Sequence, residues 1–442
     1  MKFITVSGTI FTKGDTIICL GNGTDYYSFT YYDAFVAWYD LEGNYIKRSI
    51  DTFGNYYYQD INKAFYIDSI IVAAVTSFDF FNIRDKGYVG GYLLIIDPET
   101  GEFIKKIKIT KDEDQSRIGI IKEMTQIDSV TFAVVSTIDE KIYTRKNDTQ
   151  ICIVNIKTGV LRYIELGKEN FDDIPEGITW DGKKLLIGTW KKEKEWNEQG
   201  TQKIEVPYGI IYGVDTVGTW GEIYESDSSR GSIRDLIIND NNEYISTILS
   251  ITDFNYKNES VFRWRHHVLK LDSNFNKIWE KPWGLGYDFN FEFGFSGILE
   301  AEEGDGYILS GYEPNFSYSI KGYGIWKEQI DSLHEKNTIP MTVGILQKIN
   351  ENGDSIWLRS YSVVTDTNLW FVNHIMKSVI HSPDGGYLLY GEIEHGPRPG
   401  IDTANQYPGW LLKVDKYGCL IPGCQDTTDT TSIVDILPDT GI

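Results

Sequence analysis

The 442-residue chain has no apolar run approaching the ~20 residues that span a bilayer, so membrane insertion is not expected. Its first residues, Met1-Lys2-Phe3-Ile4-Thr5-Val6-Ser7-Gly8, lack the ~7–15-residue apolar core of a secretory signal. Positive charge is scarce: 42 Lys and Arg stand against 64 Asp and Glu, a net charge of −22. That field repels a polyphosphate backbone, so a nucleic-acid partner is not expected, and no basic cluster suits an anionic membrane. Cysteine is sparse, with four in all and no C-x-x-C pair, which argues against a structural zinc site. Cys19 and Cys152 lie in apolar runs and read as buried free thiols. Cys419 and Cys424 are close enough in sequence for a small-loop disulfide. No G-x-S-x-G, H-E-x-x-H, G-x-x-x-x-G-K-[ST] or EF-hand pattern occurs. No cofactor, metal or assigned catalytic residue is expected.

Aromatic residues, by contrast, are plentiful: 14% of the chain, with 29 Tyr and 12 Trp. Such residues favour strands and ligand-facing surfaces. Seven times an apolar strand runs into a tight turn carrying Asp, Asn or Gly and then into a second strand. The landmarks are Asp40, Asp97, Asn155, Asp215, Asp272, Asn350 and Asp415, separated by 57, 58, 60, 57, 78 and 65 residues. Upstream of each lies another apolar strand, such as Ile70-Ile71-Val72-Ala73-Ala74-Val75, and a weaker one before that. These runs are short, rich in β-branched and aromatic residues, and bounded by Gly, Asp and Asn. Four antiparallel strands per period and seven periods predict an all-β, seven-bladed β-propeller over residues 1–424. Residues 425–442 read as a Thr/Asp-rich linker. Residues 324–337 have helical spacing and read as a loop insertion. A chain of this kind is expected to be a monomer.

The connections are unequal. First-to-second and third-to-fourth strand turns are tight, whereas second-to-third connections and many links between repeats are long. Up-and-down order puts both long classes at one end of the blades. Function concentrates on elaborated loops held by a rigid scaffold, so that end is the candidate. Its aromatic residues include Tyr32, Tyr58, Trp264 and Trp370. They either pack the loops on one another or form a platform for sugar rings or an extended peptide. Near the starts of the strands closest to the axis stand Asp60, Arg117, Glu176, Arg234, Asp235 and His374. These either pair with one another as a solvated lining or hold a polar ligand. Glu176, Asp235 and Asp60 are the first carboxylates to test for glycoside hydrolysis. His374 and His381, seven apart on one strand, fall on opposite faces at period two unless a bulge intervenes.

Lys348-Ile349-Asn350-Glu351-Asn352-Gly353-Asp354-Ser355-Ile356-Trp357 and Pro383-Asp384-Gly385-Gly386-Tyr387-Leu388-Leu389-Tyr390-Gly391 resemble the recurring repeat of exported propellers of Bacteroidetes. The close, Gly418-Cys419-Leu420-Ile421-Pro422-Gly423-Cys424, resembles the G-C-L-x-P-G-C ending of the same proteins, type IX secretion cargo, ahead of a Thr/Asp-rich linker. The resemblance covers residues 343–431. It implies secretion or outer-membrane surface display, with a signal ahead of residue 1 and a sorting domain after residue 442. The function expected is a secreted or cell-surface binding or scaffold module for a glycan or an extracellular protein. The alternatives are a glycan-active enzyme (glycoside hydrolase or polysaccharide lyase) working at the channel mouth, and a structural spacer or adhesin segment.

Overall fold

The computed structural model describes residues 9–23, 33–51, 57–79, 89–109, 118–139, 147–166, 172–196, 203–215, 217–226, 230–256, 259–282, 294–302, 304–314, 342–361, 369–397 and 409–420. They form seven antiparallel sheets, each a run of consecutive strands in chain order. The blades occupy residues 9–51, 57–108, 118–166, 172–225, 230–282, 294–361 and 369–414, and are numbered 1 to 7. Blades 1 to 6 have four strands, and blade 7 has three among the described residues. The inner strands are Thr9–Lys13, Tyr57–Ile67, Ile118–Gln126, Asp172–Trp180, Arg230–Ile238, Gly294–Glu300 and Leu369–His381. Each touches the inner strand of the next blade, and that of blade 7 touches that of blade 1. The molecule is a seven-bladed β-propeller. Among the described residues no helix is long and apolar enough to cross a membrane.

Apolar strand runs, uninterrupted by polar residues, have a direct physical use here. Both faces of every blade are covered by a neighbour, so alternate side chains go to opposite junctions. In blade 2, Ile71 and Ala73 pack towards blade 1 while Val72 and Ala74 pack towards blade 3. The described residues form seven apolar clusters, one per junction, and the last joins Ile10, Ile17 and Cys19 of blade 1 to Leu388 and Tyr390 of blade 7. Cys19 and Cys152 are buried free thiols, and burial pushes both thiol pKa values up. Cys419 is disulfide-bonded, and Cys424 lies outside the described residues. The linker 425–442 and the helical stretch 324–337 lie outside them too.

The landmark turns follow one local design. The Asp or Asn side chain accepts backbone N–H bonds from residues two to four further on: Asp97 from Glu99 and Thr100, Asp272 from Asn274 and Asn276, Asn350 from Asn352 and Asp354, Asp415 from Tyr417 and Cys419. In most turns a glycine of positive φ then closes the loop, as at Gly353 (φ 76°) and Gly418 (φ 72°). Blade 5 has Phe275 there instead, at φ 64°. Its ring stacks on Tyr244 at 4.5 Å, with the Lys184 ammonium 4.6 Å from its centroid, which offsets the backbone cost.

Candidate functional site

Six of the seven inner strands carry a β-bulge among the described residues. The extra residue is Asn62 in blade 2, Lys122 in blade 3, Glu176 in blade 4 and Ser296 in blade 6; blade 7 has two, Trp370 and Lys377, and in blade 5 Arg234 and Asp235 share the irregularity. A bulge leaves ladder groups unpaired and re-aims the side chains beyond it. Hydroxyls on the second strand answer several of those groups. Ser246 Oγ donates to the Arg234 carbonyl at 2.8 Å, and Thr76 Oγ1 donates to Asn62 Oδ1 at 3.0 Å. Thr76 Oγ1 also accepts the Ile121 N–H of the next blade at 3.1 Å, tying neighbouring bulges together.

The bulges bring charge to the axis. Lys63 Nζ of blade 2 lies 3.5 Å from Glu123 Oε1 of blade 3, and the charge of Asp235 in blade 5 acts on both. Blades 2 and 5 are not neighbours, so these groups meet across the axis. Burial is the main reason the Glu123 carboxyl is raised above the usual carboxylate range, with Lys63 opposing it. Glu123 in turn is the main reason Lys63 is raised, against its burial. Glu176 Oε2 lies 3.9 Å from Arg234 Nε, and Lys377 Nζ lies 3.1 Å from Glu392 Oε1. The close approach of blades 4 and 5 needs Gly177: a Cβ there would stand 3.3 Å from the backbone of Arg234 and Asp235. The side chains of Lys63 and Glu123 are 38% and 15% exposed, those of Arg234 and Glu176 20% and 22%, so this polar lining is partly wet.

Of the residues expected from sequence, the structure brings Glu176, Arg234 and Asp235 together at this wall. His374 is placed elsewhere. It is wholly buried between blades 6 and 7, its Nδ1 2.9 Å from the Thr342 carbonyl and its ring 5.3 Å from that of Trp410. The bulge at Lys377 also resets its parity with His381. The two pair with Ile393 and Tyr387, an even separation, so they share a face, about 20 Å apart along the strand. Asp60, Tyr58, Trp264 and Trp370 lie on strands, with their side chains outside the described part, and Tyr32 and Arg117 lie outside the described residues altogether. Lys63 and Glu123 were missed. The bulge moves the axial position one residue beyond Asn62 and Lys122, and nothing in the local sequence marks it. Among the described residues no group of three His, Cys, Asp or Glu could hold a metal ion.

No protein-family model matches the chain, and no curated protein matches it in sequence. Solved structures do. The β-propeller domain of the Trilobed protease from Pyrococcus furiosus is 11% identical over 92% of this chain and 98% of that one, with a TM-score of 0.43. The polysaccharide lyase Uly1 is 8% identical over 93% and 90%, with a TM-score of 0.48. A luciferin-regenerating enzyme is 8% identical over 70% and 85%, with a TM-score of 0.38. Likeness at this level says nothing about ligand or chemistry.

Proposed function

We propose that this propeller is an exported binding or scaffold module, taking a glycan or an extracellular protein at the end that carries the long connections. The observation behind the reading is the state of the axial charges. Lys63 and Arg234 face Glu123, Glu176 and Asp235 across blades 2 to 5, and the paired side chains stay partly exposed. Such a lattice supplies fixed donors and acceptors to a bound polar group, which is what orients a ligand in a pocket. Export rests on the resemblance of residues 343–431 to secreted propellers.

A glycan array read by intrinsic Trp fluorescence tests the reading. At least one glycan is expected to give a saturable response that weakens about tenfold in Arg234→Ala, the loss of a charged hydrogen-bonding group (about 1.4 kcal/mol). Flat responses to every glycan would remove the glycan form of the reading. Release of sugar products by wild type but not by Glu176→Gln or Asp235→Asn would replace it with catalysis.

A further inference from the structure

Two equivalent junctions at the turn end are built differently. Tyr307 and Tyr387 occupy the same place in blades 6 and 7, each pairing with the residue before the landmark (Ile349, Val414). Lys270 and Lys348 both stand two residues before their own landmarks, and each pairs with the outer-strand tryptophan, Trp279 or Trp357. Between blades 5 and 6 the next turn supplies Glu351. Its carboxylate bonds the Lys270 ammonium and accepts from Tyr307 Oη at 3.1 Å, and its carbonyl accepts the Trp279 indole N–H at 3.0 Å. That junction is filled.

Between blades 6 and 7 the residue at the Glu351 position is Lys416. A carboxylate that would have bridged the blades is replaced by a second ammonium, and the space opens as a groove. It is lined by Glu302, Asp305, Lys348, Trp357, Lys416 and Tyr417, with Tyr387 and Ile356 at its sides, and encloses ≈ 210 Å³. That is below the roughly 300–1,000 Å³ of drug-sized sites and limits an occupant to a single small ring. Asp305 holds Lys348 at 2.8 Å. Trp357 is fixed from behind by Gly418, whose Cβ position is 2.9 Å from the indole, and by the Arg359 guanidinium 5.9 Å from its ring. Unlike Trp279, its N–H has no hydrogen-bond partner among the described residues. Tyr417 is 40% exposed and Ile356 50%.

We propose that this groove is a binding site for a single neutral pyranose, separate from the long-loop end. Aromatic surface beside it suits the C–H face of a sugar ring. The carboxylates, ammonium groups and orphan indole N–H suit its hydroxyls. Two acids balance two lysines, so a neutral ligand is favoured over a charged one, and the −22 net charge disfavours an anionic one further.

Fluorescence and calorimetric titration of the whole chain with glucose, galactose, mannose, N-acetylglucosamine and glucuronate tests this. At least one neutral sugar should bind saturably. Lys416→Glu, which restores the carboxylate of the neighbouring junction, should weaken it tenfold or more. Trp357→Phe keeps the packing on Gly418 and removes the N–H, and should weaken it about threefold. Ile104→Ala, an exposed residue of blade 2, should leave it unchanged. Flat titrations with every neutral sugar overturn the proposal. So does unchanged affinity in both Lys416→Glu and Trp357→Phe. Binding of glucuronate alone overturns it in favour of a carboxylate site, and a loss confined to Arg234→Ala assigns the response to the axis.

Discussion

The turn end and the axis of this propeller both carry many charges, yet they handle them in opposite ways. At the turn end a buried ammonium is answered at short range by carboxylates that reach the surface. Lys270 is 4% exposed and bonded by Glu243 at 2.8 Å and by Glu351, while Tyr307 Oη takes a bond from Asn239 Nδ2 at 3.0 Å. At the axis the Lys63–Glu123 and Arg234–Glu176 pairs are longer, 3.5 and 3.9 Å, and partly solvated. Buried networks hold a structure together because breaking them strands a charge; wet pairs contribute little. The difference gives the Lys270 network, beside the apolar junction, a part in holding blades 5 and 6 together. It leaves the axial charges with little work to do for stability.

Substitutions at four sites sharpen or break that contrast. Lys270→Ala should cost about 2 kcal/mol, because Glu243 and Glu351, themselves partly exposed, lose the buried cation they share. Urea denaturation measures it, and a loss under about 1 kcal/mol would erase the distinction.

Asp272→Ala should have a smaller effect, lowering Tm by about 1–3 °C, while Asp272→Asn should sit near wild type at pH 7. Asn155 and Asn350 already accept the same turn N–H bonds. The Asp272 carboxyl is held below the usual range by its bonds from Asn276, and Asp40 likewise by Asn44. A folded pKa below the unfolded one gives stability that is complete above about pH 4 and lost as pH falls through the folded value. Wild-type Tm should therefore decline below about pH 4, and less steeply in Asp272→Asn. An identical acid limb in the two proteins would refute the assignment. Glu123 carries the opposite sign: its raised pKa means deprotonation is resisted by the fold, so Glu123→Gln should raise Tm at neutral pH.

The smallest expected effect is at the axis itself. Lys63→Gln should change stability by no more than about 1 kcal/mol. A loss comparable to that of Lys270→Ala would show the axis to be structural after all.

What could be read from the chain follows the range of the physics involved. The turns were legible because Asp272 and Gly353 act on backbone within four residues of themselves. Blade count followed from their repetition, and strand type from the apolar runs. The inner bulges were not legible, since whether Asn62 or Lys63 reaches the axis depends on Thr76 and on Ile121 of another blade. His374 was misplaced for the same reason: burial between blades is a property of the packing. The groove between blades 6 and 7 left a readable mark in the exchange of Glu351 for Lys416. It becomes visible only once the two are known to occupy one position in the ring.

The apolar cluster that joins blade 1 to blade 7 has a thermodynamic consequence. An open stack of repeats has two ends with one neighbour each, and it can melt inward from either. Here Ile10, Cys19, Leu388 and Tyr390 give the first and last blades a second neighbour. Detaching any blade therefore disrupts two junctions at once. Fraying from an end, the cheapest route open to a linear array, is closed to this molecule, and the blades should unfold as one cooperative unit.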